Sequence, residues 1–318
     1  MLAYKLNFLS IREFIIHTRL PSQANAQAFA QVLPFISISN AAFQSKGFLS
    51  ADYLQALKKQ FAPNLAYDFV DQDSLRDSRY YEQIIYQDKC IPTRKNSWHD
   101  FFNGLMWFQF PRTKAYLNEL HWQDIQQFGL KKRTAARDRA THFDECGMVL
   151  INDSDFAEAS LNTHQWKELF ITNRKAWFAA KNGVLPVHFG HANLEMLCKP
   201  FIGLTAKVLV INNATALRQS ELIKAENNAW TEDSEKIEES ANRILGFTET
   251  IDKLLLQTLI ENNIFEQKKA FRPMPILGIP NWHNAAQDAA FYDNKNYFMP
   301  HPSERSQDRN FKLSERDR

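Results

Sequence analysis

Cysteine, glycine and long hydrophobic runs are scarce in this chain, and each scarcity removes a class of protein. The three cysteines, Cys90, Cys146 and Cys198, are odd in number and lack the spacing of a metal finger. They predict free thiols in a reducing compartment, not a disulfide framework. Nine glycines in 318 residues argue against low-complexity and glycine-rich architectures. No stretch reaches the roughly 18 apolar residues of a bilayer-spanning helix, and Arg12 and Glu13 interrupt the N-terminal segment before a signal-like core is complete. The expected location is the cytoplasm, without a membrane partner. Charge of one sign is also missing: 38 Lys plus Arg against 36 Asp plus Glu leave a net +2, so any polyanion site must be local. The GxGxxG, Walker, HExxH and GxSxG signatures are absent, which leaves nucleotide cofactors and serine-hydrolase chemistry without support.

What the chain has is aromatic and apolar mass. Twenty-five Phe, seven Trp and nine Tyr in a 44% hydrophobic sequence are enough for a large buried core. The expectation is one globular domain over residues 1–300: an N-terminal helical part (1–79), a core (80–300) and an acidic insertion (221–239), followed by a disordered tail (301–318). The fold class is α+β, a mainly α-helical single core with short β hairpins and an extended C-terminal wrap beyond Arg272. Periodicity predicts helices at Asn25–Val32 and Ala51–Phe61, ended by Pro34 and Pro63. A β-rich hairpin is expected over 81–92, turning at Asp88 and Lys89, and a second over 141–151 around Glu145, Cys146 and Gly147. Pro111 and Pro186 are placed to open helices, the latter running through Cys198. Trp166–Trp177 and Leu245–Phe265 read as further helices, and Ala206–Ile211 as a buried strand.

The segment from Ile91 to Asn118 organises the rest. At 100° per residue, His99, Asp100, Asn103 and Trp107 share one sector of a helix, while Trp98, Phe101, Phe102, Leu105, Met106 and Phe108 cover the remainder. Asp100 is the sole formal charge from Trp98 to Pro111, whereas a surface helix carries many. The helix is therefore expected to be enclosed, with Asp100 buried and paired to Arg94 or Arg112, because a lone buried carboxylate is costly.

PTRKNSWHDFFNGLMWFQFPRTKAYLN (Pro92–Asn118) resembles the hallmark of a bacterial family known as domain of unknown function 3025. RDRATHFDECG (Arg137–Gly147), WKELF (Trp166–Phe170), FGHANLE (Phe189–Glu195), and LGIPNW with AFYDNKNYF (Leu277–Phe298) continue the likeness in order, over roughly residues 80–300. The resemblance implies no particular reaction. His142 stands where the pattern leads one to expect an apolar residue, and His188 where it fixes no histidine.

Three separated segments carry groups capable of chemistry. His99 and Asp100 come from the central helix; His191 and Glu195, with His188, fall on one side of the helix expected after Pro186. These are suitable ligands for a divalent ion such as Zn, Mn or Fe. Asp144 and Glu145 are candidates for a general base, with Asn103 beside the reaction centre. Arg94, Arg112, Lys114 and Arg137 are candidates for binding a substrate anion, to which a guanidinium's planar fork is suited. Convergence of such groups among apolar residues resembles an active site, and predicts a metal-dependent hydrolase of a phosphoester or other anionic substrate. The competing expectation is a non-catalytic module with a structural polar core, binding nucleic acid or protein through the basic run Lys131, Lys132, Arg133, Arg137 and Arg139. The sequence leaves the oligomeric state open.

Overall fold

The computed structural model describes residues 27–37, 49–220, 234–283 and 286–303. Eleven helices can be followed through these residues: α1 (Leu33–Ser37), α2 (Ala51–Phe61), α3 (Tyr81–Asp88), α4 (Trp98–Gln109), α5 (Pro111–Phe128), α6 (Ala135–Cys146), α7 (Phe156–Thr163), α8 (His191–Leu197), α9 (Ala214–Gln219), α10 (Ser234–Glu261) and α11 (Ala289–Tyr292). The strands are β1 (Asp68–Asp71), β2 (Cys90–Thr93), β3 (Gly147–Asn152), β4 (Val184–His188), β5 (Thr205–Asn212) and β6 (Arg272–Pro275). β1 and β2 form a small parallel sheet, and the other four a mixed sheet in the order β4-β3-β5-β6. This is the mainly helical α+β class expected from the sequence. No described helix is long and apolar enough to cross a membrane.

α4 lies at the centre. Every residue from Asp100 to Phe110 is buried, with aromatic and aliphatic side chains on all of the helix but the sector of His99, Asp100 and Asn103. Gly104 makes room for a neighbour: a Cβ there would meet the Leu54 side chain of α2 at 2.7 Å. Pro111 opens α5 at its first turn, as its fixed φ favours. The N–H groups of Arg112 and Thr113, which a helix start leaves unpaired, donate to Asp252 of α10, each at 2.9 Å.

Several local expectations are corrected. Residues 81–88 form α3, not a hairpin arm, because Tyr81, Ile84 and Ile85 recur at helical spacing and both isoleucines are buried. Lys89, at φ 56°, is the left-handed cap of that helix, and β2 pairs in parallel with β1. The second expected hairpin is also absent: Thr134 caps α6, Ala140 and Phe143 face the core, and the helix runs to Cys146 before Gly147 starts β3. Pro186 sits inside β4, an edge strand where a missing N–H is tolerated. The helix that follows starts only at His191. Residues 168–172 and 174–176 are a π turn and a 3-10 turn where one helix was expected over 166–177. Pro34 falls within the first turn of α1 instead of ending a helix.

The expected strand at Ala206–Ile211 is β5, and α2 occupies its expected residues. The apolar helix expected from Leu245 is the later part of α10, which starts at Ser234. Of the acidic segment, 221–233 lies outside the described residues, as does the tail from 304. The C-terminal segment wraps the core as expected, burying Trp282, Tyr292, Tyr297 and Phe298, with turns of helix interrupting its extended path.

His188 is no part of a helical face. Its Nε2 lies 3.0 Å from the Ala28 carbonyl, an acceptor, so that nitrogen carries the hydrogen, and its ring stacks on Trp282. Burial lowers its pKa from 6.5 to about 4. The unfolded chain therefore takes up a proton near pH 6.5 that the fold refuses until about pH 4. This contribution is complete above the unfolded value and is lost as the pH falls between the two, amounting to about 3 kcal/mol. Urea unfolding of wild type and His188→Gln should show the wild-type advantage shrinking on acidification through that window. A difference independent of pH would contradict it.

Candidate metal centre

Local sequence sets the start of α4. The Ser97 hydroxyl accepts from the Asp100 N–H at 3.1 Å, the standard arrangement for an N-terminal cap, which puts His99 and Asp100 in the first turn. Asp100 accepts from the Arg94 main-chain N–H at 2.6 Å, from Nε at 3.0 Å and from Nη2 at 2.6 Å. Burial pushes this carboxyl up, but the Arg94 hydrogen bonds and charge outweigh burial and hold it below its usual value. Asp100 is thus buried and paired as expected. Both oxygens are spent on Arg94, and this corrects its assignment as a metal ligand.

His99 meets groups from two other elements. Its Nε2 lies 3.1 Å from His191 Nε2 and 3.8 Å from Glu145 Oε2, and the third side of the triangle, His191 Nε2 to Glu145 Oε2, is 3.5 Å. Among the described residues these three form a group able to hold a metal ion. Ligands about 2.0–2.1 Å from a tetrahedral Zn lie about 3.3 Å apart, so the triangle has the required size. Glu195 Oε2 is 3.1 Å from His99 Nδ1, on the far side of the ring. There it orients the imidazole, as carboxylates commonly do behind metal-bound histidines. The residue that the structure sets beside His191 and His99 Nε2 is thus Glu145, and not Glu195 as expected.

Two glycines make this convergence possible. The Gly190 N–H donates to the Gly147 carbonyl at 2.8 Å, and a Cβ on Gly190 would lie 2.4 Å from the Gly147 nitrogen. The start of α8 is therefore pressed against the α6–β3 junction, and His191 is carried to Glu145. The Asn193 amide adds a bond to the Cys146 carbonyl at 3.1 Å. Burial lowers the His191 pKa to about 3, so the imidazole is neutral and offers a lone pair. Burial first, then the Asp144 charge, raises Glu145; a cation in the triangle would act in the opposite direction.

The cluster opens on a cavity of about 370 Å³ lined largely by polar side chains. Lys114, buried on α5, gives a hydrogen bond to Asn103 Oδ1 at 2.8 Å and pairs with Asp144. Burial raises the Asp144 carboxyl, yet the Lys114 charge, with lesser help from His191, leaves it below its usual value. Asp144, Asn103 and Lys114 therefore form an internal polar chain in place of the separate roles of base, catalytic amide and substrate cation.

Arg94 and Arg137 line the cavity as expected, joined by Arg133. Arg137 is almost fully buried, 3.4 Å from Asp124 and set over the Tyr80 ring. Arg112 does not line this cavity; it points towards Glu249 and Asp252 of α10 at 3.9 and 4.0 Å. The basic run is also not a uniform surface. Arg137 turns inward, the Arg139 guanidinium bonds the Phe265 carbonyl, and Arg133 pairs with Asp138, which leaves Lys131 and Lys132 exposed. His142 is exposed and outside the cluster.

Sequence reasoning missed Tyr81, Glu82, Asn118 and His121, all of which line the cavity. Helical spacing of Tyr81 with Ile84 and Ile85 was the available signal for the first pair. For Asn118 and His121 the signal was their helical spacing with Lys114 along one side of α5.

No curated protein and no solved structure matches this chain. One family model does, over residues 67–302, and it takes in α4, α6 and α8, the elements that carry the triangle: the chain belongs to the family described as "Protein of unknown function (DUF3025)".

Proposed function

We propose that the protein is a metal-dependent hydrolase acting on a phosphoester or another anionic substrate. The observation that carries this reading is the triangle of His99 Nε2, Glu145 Oε2 and His191 Nε2, with sides of 3.1, 3.5 and 3.8 Å, at the edge of a polar cavity. Two histidines and one carboxylate are a donor set for catalytic Zn and for other first-row ions such as Mn or Fe. They leave coordination positions open for water and substrate. An ion held by these three residues would supply a water activated near neutral pH, which would reduce the need for a strong protein base. That suits a site in which Asp144 is engaged by Lys114. Arg94 and Arg133 are the cavity's partly exposed guanidiniums and would hold the substrate anion.

The test begins with protein purified without a histidine tag and stripped with chelator. One equivalent of Zn, Mn or Fe is expected to bind, with hydrolysis of 4-nitrophenyl phosphate or its diester appearing on reloading. Glu145→Gln should abolish both. Failure of all three metals to bind would remove the reading, and metal binding without hydrolysis of any anionic ester would remove its catalytic part.

A further inference from the structure

The polar chain at the cavity has a fixed direction. Lys114 Nζ can only donate, so the Asn103 atom facing it at 2.8 Å is the carbonyl oxygen. The Asn103 amide nitrogen must then face Tyr81, and it does, at 3.1 Å from the hydroxyl. That nitrogen also can only donate, so the Tyr81 oxygen accepts and its own hydrogen points elsewhere. Among the described residues no acceptor receives it.

The carboxylates around the cavity have other engagements: Glu82 accepts from Asn118 at 2.7 Å, Asp100 from Arg94, and Asp144 from Lys114. Glu145 belongs to the triangle. Tyr81 lines the same cavity, and Asn103, which orients it, stands one helical turn after His99, so their Cβ atoms are about 5–6 Å apart. The guanidinium of Arg94, a residue that lines the same cavity, binds Asp100 through Nε and Nη2, which leaves Nη1 without a protein acceptor among the described residues. A donor hydroxyl and a free guanidinium edge are complementary to an oxyanion.

We propose that the Tyr81 hydroxyl binds substrate by donating a hydrogen bond to an anionic oxygen, phosphate or carboxylate, held in the cavity next to the His99–Glu145–His191 triangle. This deepens the hydrolase reading and rests on its assignment of an anionic substrate. Burial first, and then neighbouring carboxylates, push the phenol well above its usual pKa, so the group stays a donor throughout the physiological range.

Calorimetric titration with inorganic phosphate, and with acetate for the carboxylate source, tests this on wild type and Tyr81→Phe, each metal-free and Zn-loaded. Loss of one hydrogen bond to a charged group should weaken phosphate or acetate binding about ten- to a hundredfold, with Zn stoichiometry unchanged and the melting temperature lowered, because the Asn103 amide loses its acceptor. The preferred ion identifies the source. Tyr81-dependent binding to protein that takes up no metal would defeat the metal reading and leave the Tyr81 assignment standing. Equal affinity in the two proteins, or no binding of either ion by wild type, would overturn it, as would loss of Zn from the variant. As a measurement independent of the variant's stability, the ring-carbon resonance of Tyr81 in 13C-tyrosine-labelled wild type should shift on ligand addition, and an unmoved resonance would count against the contact.

Discussion

His191→Ala is expected to bind no metal after dialysis, whereas Glu195→Gln should bind it about ten- to a hundredfold more weakly than wild type. The two histidine nitrogens and the Glu145 oxygen would form the coordination shell, and His191 Nε2 lies within 3.5 Å of both other atoms; deleting it leaves two donors. Glu195 touches the opposite nitrogen of His99. Its loss frees the ring to rotate but removes no ligand, and carboxylates in that position are worth about this factor in affinity. Stability provides a second readout, because an ion at a hundred times its dissociation constant raises the unfolding free energy by about 2.7 kcal/mol. Wild type should gain that increment on metal addition and His191→Ala should not. Elemental analysis and unfolding with and without metal measure both effects. Equal metal content in wild type and His191→Ala would dismiss the triangle as a binding site.

The part of this site that could be read from sequence is the part set by local composition. A helix apolar on all but one sector, with one acid, had to be enclosed, and the acid had to find a guanidinium; of the two candidates, Arg94 and Arg112, the structure pairs it with Arg94. Elsewhere the short apolar runs at 81–92 and 141–151 were compatible with strand or helix, and in the first only the helical spacing of Tyr81, Ile84 and Ile85 favoured the helix. Both errors concealed residues that line the cavity: α3 presents Tyr81, and α6 presents Glu145 from its last turn. The grouping of His188, His191 and Glu195 assumed a continuous helix from Pro186. The chain instead leaves β4 at His188 and passes Gly190 before α8 starts, so His188 points towards Ala28. The approach of Gly190 to Gly147 joins residues 43 positions apart and leaves no periodic trace. Glu145, expected as a candidate base, consequently faces both histidine Nε2 atoms, and Glu195, expected as a ligand beside His191, stands behind His99.

Lys114→Met should lower the unfolding free energy of the metal-free protein by about 3–5 kcal/mol, the usual cost of removing one partner from a buried ion pair. The Lys114 side chain is 4% exposed and that of Asp144 is 23% exposed, so solvent cannot readily replace the ammonium. Its departure also leaves Asn103 Oδ1 without its donor, and takes a cation from above the Trp107 ring, 5.6 Å from the centroid. Methionine retains most of the aliphatic stem, so the loss is chiefly electrostatic. For that reason Asp144→Asn, placed in the Lys114→Met background, should recover part of the deficit even though it is expected to destabilise the wild type on its own. Urea unfolding of the four proteins gives the coupling between the two residues directly. A single-variant loss below about 1 kcal/mol, the range of exposed pairs, would mean that water reaches this part of the cavity freely. The strict donor order from Lys114 through Asn103 to Tyr81 would then lose its physical basis, because a solvated ammonium imposes no direction on its neighbours.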